Sequence, residues 1–322
     1  MNRQSIERAA ERLRPFVTRT PLIPSAWLSG RSGANVWLKL ETAQVTGSFK
    51  ARGAMHALLA LKDRSPEVDL IVAASAGNHG QALAWAGSKL GIRVRVYAPS
   101  FVAAKKRANI RALGAEIIET PTYEEAEARA TDDAARAGVP YISPYNNDDV
   151  IAGQGTVALE RCEDATDIDV LVIAVGGGGL ISGCAIVAKD RATPIGVLGA
   201  EVESSPVFTT SLAAGAITAV TVQPTLADAI AGNLEAGSRT FPLVQHLVDG
   251  IALVSEGSIE TAMRGLKRHH DLVTEGAGAV ATAAVLQGLG LTGRTAGVIV
   301  CGQNVDADAF ARITGAAGAA AG

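Results

Sequence analysis

The sequence predicts an α/β protein of the doubly wound type, and three observations point to it. Short apolar runs alternate with longer helix-like stretches along most of the 322 residues. Several of those runs are continuously apolar, as expected of parallel strands covered by helices on both faces. Segments rich in glycine and small polar residues follow the runs, where an open α/β sheet places its ligands.

In chain order, residues 1–15 mix charged and apolar residues in the manner of an exposed helix. Residues 36–40 (Val-Trp-Leu-Lys-Leu) read as a strand, and a helix begins at Lys50 and runs on through Leu61. Strands at 70–74 and 94–98 alternate with helices at 81–90, 103–113 and 123–137. Residues 140–149 are rich in turn formers and mark the return from a smaller inserted domain. Strands at 170–175, 195–200 and 297–301, with helices at 180–189, 258–269 and 278–289, complete the pattern. Residues 315–322 hold only glycine and alanine and are expected to form a frayed tail.

The composition is 48% hydrophobic and 19% charged, which excludes intrinsic disorder. A formal net charge of −3 argues against nucleic acid or an anionic membrane as partner. Cys162, Cys184 and Cys301 form no C-x-x-C pair and no disulfide framework, which suits a reducing compartment. No secretory signal opens the chain, and no apolar run approaches the roughly 20 residues of a membrane helix. A cytoplasmic protein is expected.

Four segments carry candidate chemistry. In the first, residues 46–54, Lys50 sits at a helix start, where the positive end of the helix dipole favours a neutral amine. Such a lysine is the nucleophile of a Schiff base; the alternative is an ordinary solvated lysine. In the second, Ser75, Ala76, Gly77, Asn78 and His79 lie between a strand and a helix, a place for a carboxylate or simply a capped turn. The third is Gly176, Gly177, Gly178 and Gly179, an unobstructed nest for a phosphate before a helix. It matches neither G-x-G-x-x-G nor a P-loop, although Glu201 at the next strand end keeps a dinucleotide reading open. In the fourth, Cys301 ends a strand and either touches a ligand ring or fills a core position. The histidines form no metal set, and His269 with His270 reads as a solvated helix end.

Taken together and in order, these segments resemble the fold-type II pyridoxal-phosphate enzymes, closest to the threonine/serine dehydratase (ammonia-lyase) and serine racemase branch. The resemblance runs from Thr20, Pro21 and Leu22 through residues 38–54, 75–80, 150–156, 176–179, 225–228 and 275–278 to residues 301–306. It implies two doubly wound open-sheet domains of the tryptophan synthase β type with pyridoxal 5'-phosphate in the cleft between them. Residues 1–68 and 149–322 would form the large domain, and residues 69–148 the small one carrying the substrate-carboxylate loop.

By this resemblance Lys50 is the catalytic residue and holds the cofactor as a Schiff base, with Phe49 beside the ring. Asn78 would bond the cofactor's 3′-oxygen, Gly176 to Gly179 would cradle its phosphate, Cys301 would meet the pyridine nitrogen and Glu275 would lie near the ring. Ser75, Ala76, Gly77 and His79 would bind the substrate carboxylate. A neutral thiol cannot hold a pyridinium as a carboxylate would, so the resemblance implies α,β-elimination rather than transamination. The expected activity is deamination of an L-threonine or L-serine type 3-hydroxy amino acid to a 2-oxo acid and ammonia. Alternatives are a modified hydroxy amino acid of the hydroxyectoine-breakdown type and a β-replacement enzyme of the same fold.

Ala76 stands where racemases carry a serine, so racemisation is expected to be minor. Ala229 replaces a usual glycine. Glu201 matches one acidic ligand of the racemases' cation site, but Ser205 and Val207 occupy the others, so no metal is expected. The expected partner is a small-molecule amino acid, with no nucleic acid and no membrane, and a homo-oligomer, a dimer, is implied.

Overall fold

Two separate sheets organise the chain in the computed structural model, which describes residues 1–75, 77–100, 104–164 and 167–315. The chain opens with α1 (Arg3–Leu13), β1 (Leu22–Pro24), α2 (Ala26–Ser32) and β2 (Asn35–Leu40). Then α3 (Lys50–Arg64) leads to β3 (Leu70–Ala74), α4 (Asn78–Leu90), β4 (Arg93–Pro99), α5 (Ala104–Ala112), β5 (Glu116–Thr120) and α6 (Tyr123–Ala137). After α7 (Asp148–Asp164) come β6 (Val170–Ala174), α8 (Gly179–Lys189), β7 (Gly196–Val202), α9 (Val207–Ala214) and α10 (Thr240–Leu247). The last elements are β8 (Gly250–Val254), α11 (Glu256–His270), α12 (Gly276–Gln287), β9 (Thr295–Val300) and α13 (Ala307–Thr314).

The larger sheet has the order β1-β2-β9-β6-β7-β8, parallel except for the antiparallel edge pair β1–β2. The smaller sheet is β3-β4-β5, all parallel. The mixed α/β architecture with open sheets is the one the sequence predicts. In the middle of the larger sheet every residue of β6 is buried, which is why it reads as an unbroken apolar run.

Local chemistry explains the helices. The Thr122 side chain caps α6 by accepting from the Glu125 N–H at 3.1 Å, acidic Glu124 and Glu125 occupy its positive end, and Gly138 ends it in the left-handed region. Its buried face is Ala126, Ala130 and Ala134, at helical spacing. By contrast α1 is not the exposed helix expected: Ile6, Ala9 and Leu13 are buried. Nor is the end of α11 fully solvated. His269 stacks on Trp27 with ring centroids 4.9 Å apart, and His270 Nε2 lies 2.8 Å from Ser25 Oγ. Ala103 of the predicted fifth-helix stretch and residues 316–322 of the predicted tail lie outside the described residues.

Two features fix the start of α3. The Phe49 N–H donates to the Cys301 carbonyl at 3.1 Å, which ties the residue before Lys50 to the end of β9. Arg52, two residues beyond Lys50, is buried and bonds both oxygens of Glu41 at 2.8 Å and those of Glu160 at 2.7 and 2.9 Å. A guanidinium so paired with two carboxylates retains its charge despite burial, and its removal would leave buried carboxylate unpaired. The rest of α3 packs the other way. Ala54, Met55, Leu58 and Leu61 join one apolar cluster with Ile71, Ala73, Leu83 and Val96 of the smaller sheet and α4.

Candidate active site

A cleft opens between the two sheets, where the carboxyl ends of β3, β6 and β9 face the start of α3. That is the ligand position of open α/β sheets. Phe49, Lys50, Ser75, Gly77, Asn78, His79, Gly176, Gly177, Gly178, Gly179, Glu275 and Cys301 all line it. Ala76 lies outside the described residues. Segments more than two hundred residues apart in sequence therefore meet at one place.

Lys50 is the first residue of α3, and its Nζ donates to the Pro144 carbonyl at 2.9 Å and lies 5.0 Å from the centre of the Phe49 ring. Burial pulls its pKa down to about 8, against the opposing influence of Cys301 and Glu275. The cause is thus chiefly loss of water around the amine, where the sequence suggested the helix dipole.

The glycine run bridges β6 and α8. Gly178 has φ +82°, a conformation that L side chains rarely adopt, and no side chain caps the helix that follows. A Cβ on Gly177 would stand 2.1 Å from the Tyr145 ring. The Tyr145 oxygen accepts from the Glu235 N–H at 2.8 Å, so this wall of the cradle is itself anchored. Free N–H groups at a helix start, with no side chain in the way, suit a phosphate dianion.

Asn78 begins α4 and donates through Nδ2 to Glu275 Oε1 at 2.6 Å. Glu275 stands at the N-cap of α12, and burial pushes its carboxyl up to about 7, although Asn78, Lys106 and Lys50 oppose this. Cys301 Sγ donates to the Ala277 carbonyl at 3.3 Å, and burial holds the thiol well above its ordinary range, so it is neutral. His79 Nε2 donates to the Ile142 carbonyl at 2.9 Å, while burial, with Lys50 nearby, pulls the ring down to about 3. His79 is therefore a neutral imidazole that holds its loop in place. Cys162 and Cys184 are also buried free thiols, and neither lines the cleft.

Lys106 and Tyr145 line the cleft without having been singled out in the sequence, and Asp228 belongs to the segment 225–228 but was given no role there. Lys106 and Asp228 pair across the mouth at 2.9 Å, joining α5 of the smaller sheet to the segment before α10, and Tyr145 walls the cradle. Glu201 turns out not to serve the cleft. Its carboxylate accepts from the Phe208 and Thr209 N–H groups at 2.7 and 2.9 Å and from the Thr209 hydroxyl at 2.7 Å, capping α9. This removes the basis of the dinucleotide reading, and among the described residues no group of three or more His, Cys, Asp or Glu could hold a metal. Among them too, no helix is long and apolar enough to cross a membrane.

The amine, the glycine cradle and the neutral thiol together match the needs of pyridoxal phosphate: a Schiff-base nucleophile, a phosphate nest and a partner for the ring. Comparison with known proteins agrees. The chain is 39% identical over 311 residues to an L-threonine ammonia-lyase of Thermotoga maritima, covering 96% of this chain and 77% of that protein. It is 37% identical to a catabolic L-threonine dehydratase of Staphylococcus aureus, covering 94% and 88%. Among solved structures, a threonine deaminase superposes with a TM-score of 0.88 at 36% identity, covering 95% of this chain and 99% of that one. Maize serine racemase superposes with a TM-score of 0.90 at 33% identity, covering 97% and 96%. The family model described as pyridoxal-phosphate dependent enzyme matches residues 13–302, nine-tenths of the length, and the chain with the cleft just described belongs to that family.

Proposed function

We propose that this chain is an ammonia-lyase that deaminates an L-threonine or L-serine type 3-hydroxy amino acid by α,β-elimination. The observation that carries the reading is that the half-buried Lys50 amine, the glycine run 176–179 and the Cys301 thiol line one cleft. The relatives named L-threonine ammonia-lyase and L-threonine dehydratase support it. On this reading Lys50 would link the cofactor, Phe49 would flank it, Gly176 to Gly179 would hold its phosphate, Asn78 would serve its 3′-oxygen, and Cys301 and Glu275 would serve its ring. Ser75, Ala76, Gly77 and His79 form the loop for the substrate carboxylate.

When bound, the cofactor supplies an electron sink for the pair left at the α-carbon. The Lys50 amine, free while substrate occupies the cleft, would take the α-proton on Nζ. The Cα–H electron pair would form the Cα=Cβ bond as the β-hydroxyl leaves as water, taking its proton from the ammonium that Lys50 Nζ has become. The released enamine takes up water and falls to a 2-oxo acid and ammonia. The Pro144 carbonyl, 2.9 Å from Nζ, is the group on which the freed amine rests.

A screen of amino acids for 2-oxo acid release tests the reading. L-threonine or L-serine is expected to yield 2-oxobutanoate or pyruvate with equimolar ammonia. Thiol amino acid formed from sulfide and an activated serine, with no 2-oxo acid, would instead assign β-replacement. D-serine should be a minor product, and Ala76→Ser should raise its share; faster racemisation than elimination by the unaltered enzyme would remove the role given to this loop.

Because burial brings Lys50 to about 8, roughly one amine in ten is neutral at pH 7, against about one in three thousand for an ordinary lysine. Reconstitution of apoenzyme with the cofactor should therefore speed up with pH and level off near pH 8. A rate still climbing tenfold per pH unit above pH 9 would show an unperturbed lysine.

We further propose that residues 69–148 form the small domain and residues 1–68 with 149–322 the large one, on the support of the two separate sheets. The enzyme is proposed to be a cytoplasmic homodimer; a monomeric mass in solution would overturn the dimer.

A further inference from the structure

Asn304, beyond the end of β9, reaches two other parts of the chain. Its Nδ2 donates to the Thr46 carbonyl, in the loop before Lys50, at 2.9 Å. The same nitrogen donates to Asn78 Oδ1 at 2.6 Å. A backbone carbonyl can only accept, so the Thr46 carbonyl obliges Asn304 to present its NH2 group on that side. With one hydrogen on the carbonyl and the other on Asn78, the facing atom of Asn78 must be its oxygen. The NH2 group of Asn78 is thereby turned to the other side, where it lies 2.6 Å from Glu275 Oε1.

Glu275 alone does not hold this orientation at every pH. When ionised it selects the NH2 face, but burial raises it to about 7, and its protonated form could donate to an amide oxygen instead. The Thr46 carbonyl has a fixed polarity at every pH, and among the described residues Asn304 is the side chain that carries it to Asn78. We propose that Asn304 is a positioning residue that sets the amide of Asn78 so that a donor, not an acceptor, is offered to the cleft. The inference rests on the reading that Asn78 faces the cofactor's 3′-oxygen, an atom that a donor attracts and an acceptor repels when it is anionic.

The test uses Asn304→Asp, which keeps the shape but replaces both donor hydrogens with acceptor lone pairs, and Asn304→Ser, which keeps one donor. Each apoprotein is first melted, then titrated with pyridoxal 5′-phosphate. The ratio of the absorbance bands that report the 3′-oxygen with and without its proton is then read at fixed pH. Asn304→Asp is expected to weaken cofactor affinity about tenfold and shift the bands toward the protonated oxygen, with apoprotein melting little changed. Asn304→Ser should fall between it and the parent, and it carries the test alone if the aspartate variant does not fold. In an Asn78→Ala background, Asn304→Asp should no longer move the bands. If Asn78→Ala shifts the band ratio but neither Asn304 variant does, the positioning role is wrong. If Asn78→Ala leaves the ratio unchanged, the contact between Asn78 and the cofactor is wrong instead.

Discussion

Replacing Lys50 with alanine will leave a folded protein with no turnover and no absorbance from lysine-linked cofactor. The fold should survive because alanine is the best helix former and the side chain's hydrogen bond goes to one loop carbonyl, that of Pro144. The chemistry should not. Loss of a positioned base alone costs about 10²–10⁴-fold, or about 2.7–5.4 kcal/mol of barrier, and here the covalent link is lost as well. The measurements are 2-oxo acid release and the mass of the borohydride-reduced protein. A reduced Lys50→Ala protein carrying a covalent cofactor adduct would mean that another amine does the work.

The second large effect is expected from Cys301→Asp. The native thiol is buried, donates to the Ala277 carbonyl and is held neutral. Cys301→Ser keeps a small neutral hydrogen-bonding group and should retain most of the elimination activity. An aspartate would place a carboxylate where the pyridine ring is expected, keep a proton on the ring nitrogen and deepen the electron sink. A long-wavelength absorbance band should then accumulate during turnover while elimination slows about 100-fold, near 2.7 kcal/mol. Parent-like spectrum and rate in Cys301→Asp would make Cys301 an ordinary core cysteine.

Two of the strands that the sequence left unread share a physical reason. The unpredicted strands are β1, β5 and β8, and each is an edge strand. An edge strand lacks a neighbour on one side and tolerates charge and proline, which breaks the apolar signal of β1 and β5; β8 is uncharged throughout, and its edge position does not explain why it went unread. Glu116 and Glu119 interrupt β5, and prolines flank or end β1. No helix is predicted over α7, whose interior Gly153 and Gly155 lower the helical propensity of the stretch. Gly153 is there because α3 crosses so closely that a Cβ would stand 2.5 Å from the Arg52 carbonyl.

The site was more legible than the fold, because its groups follow strand ends in local motifs. What escaped was pairwise. Lys106 with Asp228, and Asn304 with Thr46 and Asn78, join residues more than a hundred positions apart, and no short motif encodes such a meeting.

The packing of α3 has a consequence for any attempt to take the protein apart. Its first residue bears the amine and its neighbour is tied to the end of β9, yet its apolar side belongs to the cluster under β3 and β4. A fragment cut at residues 69 and 148 would bare the surface on which Met55, Leu58 and Leu61 rest, and the remainder would expose those side chains in turn. The smaller sheet is thus not a detachable module. Chemical denaturation should melt both sheets in a single transition, with the two halves unable to outlive each other.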